Sequence, residues 1–126
     1  MELPLDHVVQ RVDDHWVVVG PSGIFVVGRA RGDVAASAEQ TSALAHELRA
    51  ALSERISWVP FVDAILVADG DHSGLACTVI PLDLLVIALT SGGITIDASG
   101  LAQVQHHLPM TLGEIERAHR RPLDPA

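Results

Sequence analysis

Six side chains that could do chemistry flank a pair of apolar runs near the start of the chain. They are Asp13, Asp14 and His15 before the first run and Arg29, Arg31 and Asp33 after the second. Carboxylates are the oxygen ligands that a hard ion such as Mg²⁺ prefers, and a bound metal ion can bridge carboxylates to phosphate. These residue types are therefore compatible with metal-assisted chemistry on a phosphate ester.

Other groups of reactive residue types fit simpler roles. The loop 69–72 holds two aspartates and a histidine, but it matches no zinc or EF-hand spacing and predicts a solvated turn. His106 and His107 are neighbours on a predicted helix, where successive side chains diverge by about 100° and do not easily hold one ion. Cys77 falls in a predicted buried strand, which favours inert packing, and as the single cysteine it cannot form an intrachain disulfide.

The elements that must position the six side chains begin with a β-hairpin. The runs Trp16–Val19 and Ile24–Val27 are rich in the β-branched and aromatic residues that suit strands, and they flank the sequence Gly-Pro-Ser-Gly. Pro21 presets φ for a tight turn, and Gly23 accepts the left-handed conformation that closes it. Neither run alternates apolar with polar residues, so we expect a hairpin at the centre of a sheet with both faces covered.

Further strands and a long helix are predicted around the hairpin. The helix begins at Ser37, whose hydroxyl fits a capping box with the side chain of Gln40. Apolar runs predict an edge strand over Leu5–Val12, strands over Ala64–Ala68 and Leu75–Ile80, and a small strand or extended link over Ile94–Ile96.

Two more helices complete the predicted order. Leu82–Leu89 is apolar nearly all round, which predicts an enclosed helix. A final helix is capped by Asp97 or Ser99, carries an apolar face over Leu101–Leu108 and ends at Pro109. Strands mixed with helices in this order are typical of an α/β sandwich with a mixed sheet.

The hairpin also carries a family resemblance. The order Asp14-His15, several valines, Gly-Pro-x-Gly and an aromatic residue among apolar ones is similar to the nuclease-related domain (NERD) family, a branch of the PD-(D/E)xK nuclease superfamily. Weaker similarity of pattern extends to Leu108. The resemblance implies a restriction-endonuclease-like α/β sandwich with a central mixed sheet over residues 1–109, followed by a C-terminal tail over residues 110–126. It also implies trimming at the N-terminus, because Met1 lies too close to the first strand for the family's usual first helix.

The resemblance assigns functional positions as well. A nuclease of this superfamily needs two carboxylates that converge on Mg²⁺ and a lysine near the attacking water. Asp14 matches the first carboxylate, and Gln40 matches a glutamine near the start of the family's helix. The acid-x-Lys motif falls on Gly28, Arg29 and Ala30, which supply neither the acid nor the lysine.

With that motif lost, no catalytic residue, cofactor or metal site is expected. The sequence contains no lysine at all, and arginine is a poor base because it stays protonated. Asp14, Arg31, Asp33 and Gln40 are predicted to be vestiges of the ancestral site. The alternative is a Mg²⁺-dependent nuclease with an altered carboxylate set, in which Asp14 binds the metal together with Asp33 or Asp13.

Composition narrows the range of partners. The formal charge is −8, so the chain repels polyanions, and nucleic acid is not expected to bind. No apolar run approaches the roughly 20 residues of a membrane-spanning helix, and the start lacks a signal-peptide pattern, so a cytoplasmic location is expected. Apolar residues make up 48% of the chain, more than one small core normally absorbs.

The sequence therefore predicts a catalytically inactive, nuclease-like interaction module that self-associates as a homodimer. A sheet face or edge without its cover is a template for a partner, and two-fold dimers are the commonest closed assemblies. The predicted contact surfaces are the edge strand Leu5–Val12 and the helix Ser99–Leu108. A third interpretation is a subunit that lends its fold to a nucleic-acid enzyme encoded elsewhere.

Overall fold

Five strands form one open, mixed sheet in a computed structural model that describes Leu3, residues 6–70 and residues 72–120. The strands lie in chain order: β1 (Val8–Val12), β2 (His15–Gly20), β3 (Gly23–Arg29), β4 (Val62–Val67) and β5 (Thr78–Ile80). The first three strands pair antiparallel, whereas β3–β4 and β4–β5 pair in parallel. The predicted α/β class with a mixed sheet is confirmed. The hairpin lies inside the sheet and β1 lies at its edge, as predicted.

Two glycines close the turn between β2 and β3. Gly20 pairs with Gly23 across the turn, which leaves Pro21 and Ser22 as a two-residue loop. Gly23 has a φ of 144°, which L side chains rarely adopt, so the positive φ predicted at this position is present. The Pro21 carbonyl accepts a hydrogen bond from the Thr95 amide at 2.9 Å, and this bond ties the turn to the link that follows the second helix.

The helix α1 (Val34–Ser53) connects β3 to β4 and begins earlier than predicted. Asp33 is its N-cap, and the Asp33 carboxylate accepts from the Ala35 amide at 2.9 Å. The predicted capping box at Ser37 is wrong, because Ser37 is buried inside the helix. Its hydroxyl accepts from the Arg31 amide at 3.1 Å and so holds the end of β3 against α1.

The last helix, α3 (Ala98–Arg120), is much longer than predicted. Pro109 lies inside the helix, so the prediction that it ends the helix is wrong, and residues 110–120 are helical rather than part of a tail. The sequence 121–126 lies outside the described residues. Proline inside a helix costs roughly 3 kcal/mol. Here that cost is offset by buried apolar residues that continue at helical spacing on the far side of the proline, including Leu112 and Ile115.

The larger core lies between one face of the sheet and the helices α1 and α3. The strands supply alternate residues to it, because successive side chains of a strand point to opposite faces. Its main members are Val17, Val19, Ile24, Val26, Leu44, Leu48, Leu52, Val104, Leu108, Leu112 and Ile115.

The second face of the sheet is covered only in part. A 3-10 turn (Leu82–Leu84) and the short helix α2 (Leu85–Thr90) lie against it, and α2 buries Leu85 and Leu89 there. The prediction of an enclosed helix over Leu82–Leu89 is wrong, since Leu82 and Ile87 are 55% and 59% exposed. This segment forms a single thin layer, so its outer side has nothing in the described chain to pack against.

The remaining bounds differ from the predictions by a few residues. The strand β5 covers only the end of the predicted Leu75–Ile80, and Cys77 precedes it. The residues Ile94–Ile96 form an extended link, of which Ile96 is buried. Of the two predicted caps for the last helix, Asp97 acts as one, because its carboxylate accepts from the Gly100 amide at 2.7 Å. Within the described ranges, no helix combines the length and the apolar character needed to cross a bilayer.

Candidate functional site

A small polar pocket lies where β2 begins and β3 ends, against the first turns of α1. The antiparallel register pairs Trp16 with Val27, and this pairing sets His15 beside Gly28. The cavity has a volume of about 70 Å³ and is lined by Asp14, His15, Arg29, Arg31, Ala36, Ser37 and Gln40. Strand ends and a helix start therefore collect polar side chains from three separate segments of the chain.

Three of the four predicted vestigial residues meet in this polar pocket. Asp14, Arg31 and Gln40 all line it. Asp33 is not among the lining residues, because its carboxylate caps α1 instead. Arg29, one of the six side chains noted in the sequence but not among the four predicted vestigial residues, also lines the pocket. The signal in the sequence was position: Arg29 ends one strand of the hairpin, and the other strand begins next to Asp14.

A chain of polar contacts runs from Asp14 into the protein. His15 Nδ1 lies 2.9 Å from Asp14 Oδ1, and His15 Nε2 is hydrogen-bonded to Thr41 Oγ1 at 3.1 Å. The Thr41 hydroxyl donates to the Ser37 carbonyl at 2.8 Å and is fully buried. A carboxylate, an imidazole and a hydroxyl in series are the parts of a nucleophilic triad, but a substrate cannot reach this hydroxyl. The hydrogen bonds of this chain therefore hold His15, which lies against Asp14.

Thr41 is the member of this chain that sequence reasoning missed. Ser37 and Thr41 are spaced one helical turn apart, in phase with the buried residues Ala45 and Leu48. A hydroxyl in phase with an apolar stripe must face the sheet, where burial requires it to find a hydrogen-bond partner. That periodicity was the available signal for an internal polar contact.

Neighbouring side chains fill the space in front of Gly28, the position that the resemblance assigns to an acid. A Cβ atom on Gly28 would overlap Thr41 Oγ1 and would lie 2.9 Å from His15 Cδ2. Any side chain at this position must therefore displace His15, Thr41 or both. The pair occupies the space into which a second carboxylate would project.

The altered carboxylate set is also engaged elsewhere. Asp33 caps α1, and Asp13 bonds to His119. Among residues 6–70 and 72–120, no three or more His, Cys, Asp or Glu side chains are grouped so that they could hold a metal ion. Asp13 and Glu47 line one cavity with Asp14, but both carboxylates contact His119.

His119 forms a second polar cluster next to the pocket. Its Nδ1 lies 2.6 Å from Asp13 Oδ2, in the turn between β1 and β2, and its Nε2 lies 2.8 Å from Glu47 Oε1 on α1. Hydrogen bonds to Asp13 and then Glu47 raise the pKa of His119 above 6.5, its ordinary value. The cluster therefore fastens the C-terminal turns of α3 to the sheet and to α1 when His119 is protonated.

We expect stability to depend on pH through His119. Because the folded state holds the His119 proton more tightly than the unfolded chain, its contribution is complete below about pH 6.5 and is lost as pH rises through the raised pKa. The side chain is partly exposed, so the loss should be less than about 1 kcal/mol. Urea unfolding between pH 5.5 and 8.5 measures this.

The matched variants for this pH effect are His119→Gln and His106→Gln. Wild type and His106→Gln should lose stability together over the range, since His106 forms no ion pair within the described chain. The profile of His119→Gln should be flatter than both. Parallel profiles for all three proteins would refute the role of His119.

The other residue groups noted in the sequence stay separate from the pocket. His72 Nε2 lies 2.8 Å from the Asp69 carbonyl oxygen, within a turn, and Asp71 lies outside the described residues. The rings of His106 and His107 contact edge to face, with centroids 5.0 Å apart. Cys77 is half-buried, and burial raises the pKa of its thiol, which lowers the thiolate fraction that a nucleophile requires.

An apolar groove of about 360 Å³ lies on the second face of the sheet, on the other side of Arg29 from the polar pocket. Strand residues form its floor, and Leu82 and Leu85 form a wall. Its lining residues are Val9, Trp16, Val18, Val27, Gly28, Arg29, Val67, Leu82 and Leu85. Sequence analysis predicted incomplete cover for a sheet face but did not locate it.

Comparisons with protein-family models, with curated proteins and with solved structures found no match to this chain.

Proposed function

We propose that this chain is a non-catalytic interaction module that self-associates through the apolar groove. The single observation that carries the proposal is the groove itself, a concave apolar surface on a sheet face that the chain's own helices leave partly bare. Val9 and Leu82 on its rim are 44% and 55% exposed. When a partner covers exposed apolar surface, the area removed from water contributes about 25 cal/mol per Å² to association.

A second copy of the chain is the proposed occupant. Leu82, Leu84 and Ile87 form an exposed apolar ridge on the 3-10 turn and α2, and Leu82 also lines the groove. Groove and ridge therefore share one face. A two-fold axis can place the ridge of each copy in the groove of the other, which satisfies both surfaces at once.

Charges at the proposed contact favour the same arrangement. The formal charge of −8 opposes the approach of two copies. The groove, however, is bordered by Arg11, whose guanidinium lies 5.5 Å from the centre of the Trp16 ring, a ring that lines the groove. The ridge carries Asp83. Opposite charges on ridge and groove would meet across a two-fold axis.

The contact surfaces proposed from the structure differ in part from those predicted from the sequence. The edge strand β1 borders the groove through Val9, so it stays in the proposed interface. The helix Ser99–Leu108 is part of α3, and its apolar residues Val104 and Leu108 are buried in the chain's own core. That helix face is therefore unavailable to a partner, and the groove takes its place.

We also propose that the module derives from a nuclease of the NERD type with a restriction-endonuclease-like fold. The support is that Asp14 and Gln40, matched to family positions from separate segments, line one pocket. The filled space at Gly28 supports the loss of activity. A metal-dependent nuclease remains the competing proposal.

The purified protein is expected to leave single- and double-stranded DNA and RNA intact in Mg²⁺ or Mn²⁺. The reason is that Gly28 and Ala30 stand at the positions the resemblance assigns to the acid and the lysine, and the sequence contains no lysine. Gel assays with Asp14→Ala as the comparison decide the point. Cleavage by the wild type that disappears in Asp14→Ala would overturn the non-catalytic assignment.

Light scattering and sedimentation at low micromolar concentration test self-association. The expected result is a particle of twice the chain mass of 13.4 kDa. A stable interface should bury on the order of 1,200–2,000 Å² in total. A monodisperse monomer up to about 100 µM, well above nanomolar to low micromolar affinities, would refute the dimer.

A further inference from the structure

Two arginines in the polar pocket have no carboxylate partner. In the described part of the chain, Arg55 pairs with Glu114 and Arg120 pairs with Glu116, whereas Arg29 and Arg31 form no ion pair. Arg11, Arg49 and Arg117 also form no ion pair within the described chain, so the feature that distinguishes Arg29 and Arg31 is that they share one cavity. Arg29 is the last residue of β3, and Arg31 follows two residues later. Both arginines line the same small cavity.

The rest of the pocket adds hydrogen-bonding groups suited to an anion. Gln40 supplies an amide, and Ala36 belongs to the first turn of α1, where backbone N–H groups lack helical partners. Ser37 fixes the geometry, because its hydroxyl accepts from the Arg31 amide at 3.1 Å and holds that arginine's backbone against the helix. The pocket is therefore supported by contacts within the fold rather than by surface side chains alone.

The charges in the pocket sum to a positive value. Two guanidinium groups line the cavity with one carboxylate, Asp14, whose Oδ1 lies 2.9 Å from His15 Nδ1. With neutral His15 the lining residues carry a net charge of +1, inside a chain of net charge −8. A local positive site of this kind attracts a compact anion while the whole surface repels an extended polyanion.

We propose that this pocket binds a tetrahedral oxyanion, namely a free phosphate ion or the terminal phosphoryl group of a small phosphate monoester. Planar guanidinium forks match phosphate oxygens and form charge-assisted hydrogen bonds with them. The volume of about 70 Å³ is a little over twice the roughly 30 Å³ share of one liquid water, so it holds a compact group and leaves any organic part outside. This inference stands independently of self-association through the groove.

The test is an NMR titration of the full chain with inorganic phosphate, with sodium chloride at matched ionic strength as the blank. The expected result is saturable shifts of backbone amides over residues 29–40 that chloride does not produce. A parallel titration with phenyl phosphate distinguishes the two sources. Tighter binding than phosphate assigns a monoester as the ligand, and equal or weaker binding assigns the free ion.

Three variants decide whether the pocket is responsible. Arg31→Gln should weaken phosphate binding about tenfold or more, because the variant loses one charge-assisted hydrogen bond. Arg117→Gln, which makes the same charge change on α3, should bind as the wild type does. Asp14→Asn should tighten binding by removing the opposing charge, whereas a cation site would require Asp14.

Several outcomes would overturn the phosphate site. They are shifts that do not saturate, equal weakening in Arg31→Gln and Arg117→Gln, and weaker binding in Asp14→Asn. If the spectrum of Arg31→Gln shows that the variant does not fold, Gln40→Ala takes its place, because Gln40 is exposed and also lines the cavity. Loss of binding in folded Gln40→Ala supports the site, and unchanged binding counts against it.

Discussion

Replacing Leu82 by aspartate is expected to convert the dimer into a monomer. Leu82 lines the groove and also stands on the exposed ridge, so the proposed two-fold interface would contain it twice. A carboxylate there must lose its hydration without gaining a partner. Dimer affinity should fall about thirtyfold or more, the effect of removing about 2 kcal/mol at an interface hot spot. Sedimentation equilibrium over a range of concentrations measures this change.

The matched control for Leu82→Asp is Ile94→Asp. Ile94 is 82% exposed, but it lies in the link before α3 and does not line the groove. The variant Ile94→Asp should dimerise like the wild type, and both variants should retain the circular dichroism of the folded chain. Equal loss of dimer in both variants, or in neither, would show that the groove is not the interface.

Gly28→Ala is expected to lower the free energy of unfolding by about 1–3 kcal/mol, the usual cost of overpacking a filled site. The added methyl group would overlap Thr41 Oγ1 and press on His15, whose side chain is itself nearly buried. Displacing either residue breaks the hydrogen bond between His15 and Thr41. Urea unfolding measures the loss, and one fixed protein concentration keeps the conditions for association equal in the two proteins.

Gly113→Ala is the comparison variant, and its expected change in the free energy of unfolding has the opposite sign. Gly113 lies in the interior of α3, and nothing lies within 4 Å of a Cβ atom placed there. Alanine in a helix interior is favoured over glycine by roughly 0.5–1 kcal/mol, so this variant should be more stable than the wild type. Tolerance of Gly28→Ala without loss of stability would contradict the account of the filled acid position.

The strands were largely predictable because their sequence signals are local. The valine-rich runs around Gly20–Gly23 specify two paired strands without help from distant contacts, and both were found with their turn. The start of α1 was not predicted correctly, because Asp33 and Ser37 are both good caps in isolation. The choice between them depends on the Ser37 hydroxyl being drawn into a bond with the backbone of Arg31, which is a tertiary contact.

The end of α3 shows the same limit. Local rules end a helix at Pro109, but buried residues on both sides of it pack on one core and keep the helix intact. The prediction for Leu82–Leu89 is wrong in the opposite way, because it assigned more packing than the fold provides. Its apolar character suggested enclosure, whereas the fold supplies no layer outside it. Sequence pattern reveals that a surface is apolar but does not reveal which other element, if any, will cover it.

Part of the candidate site could be predicted from the sequence. Asp14, Arg31 and Gln40 were named in advance, and they do share a pocket. Thr41 and the filled space at Gly28 depend on how closely α1 approaches β3, which no spacing in the sequence specifies. Asp33 caps α1 and does not line the pocket, because a carboxylate near a motif and a carboxylate at a helix start look the same in sequence.

Isotope-filtered NMR on a mixture of labelled and unlabelled chains tests the groove most directly, because it detects only contacts between different copies. The proposed interface predicts intermolecular contacts from the methyl groups of Leu82 and Leu84 to the indole of Trp16 and the methyl groups of Val9 in the other copy. These residues belong to the ridge and to the groove. Intermolecular contacts confined to other surfaces, such as exposed Met110 on α3, or no such contacts at millimolar concentration, would contradict self-association through the groove.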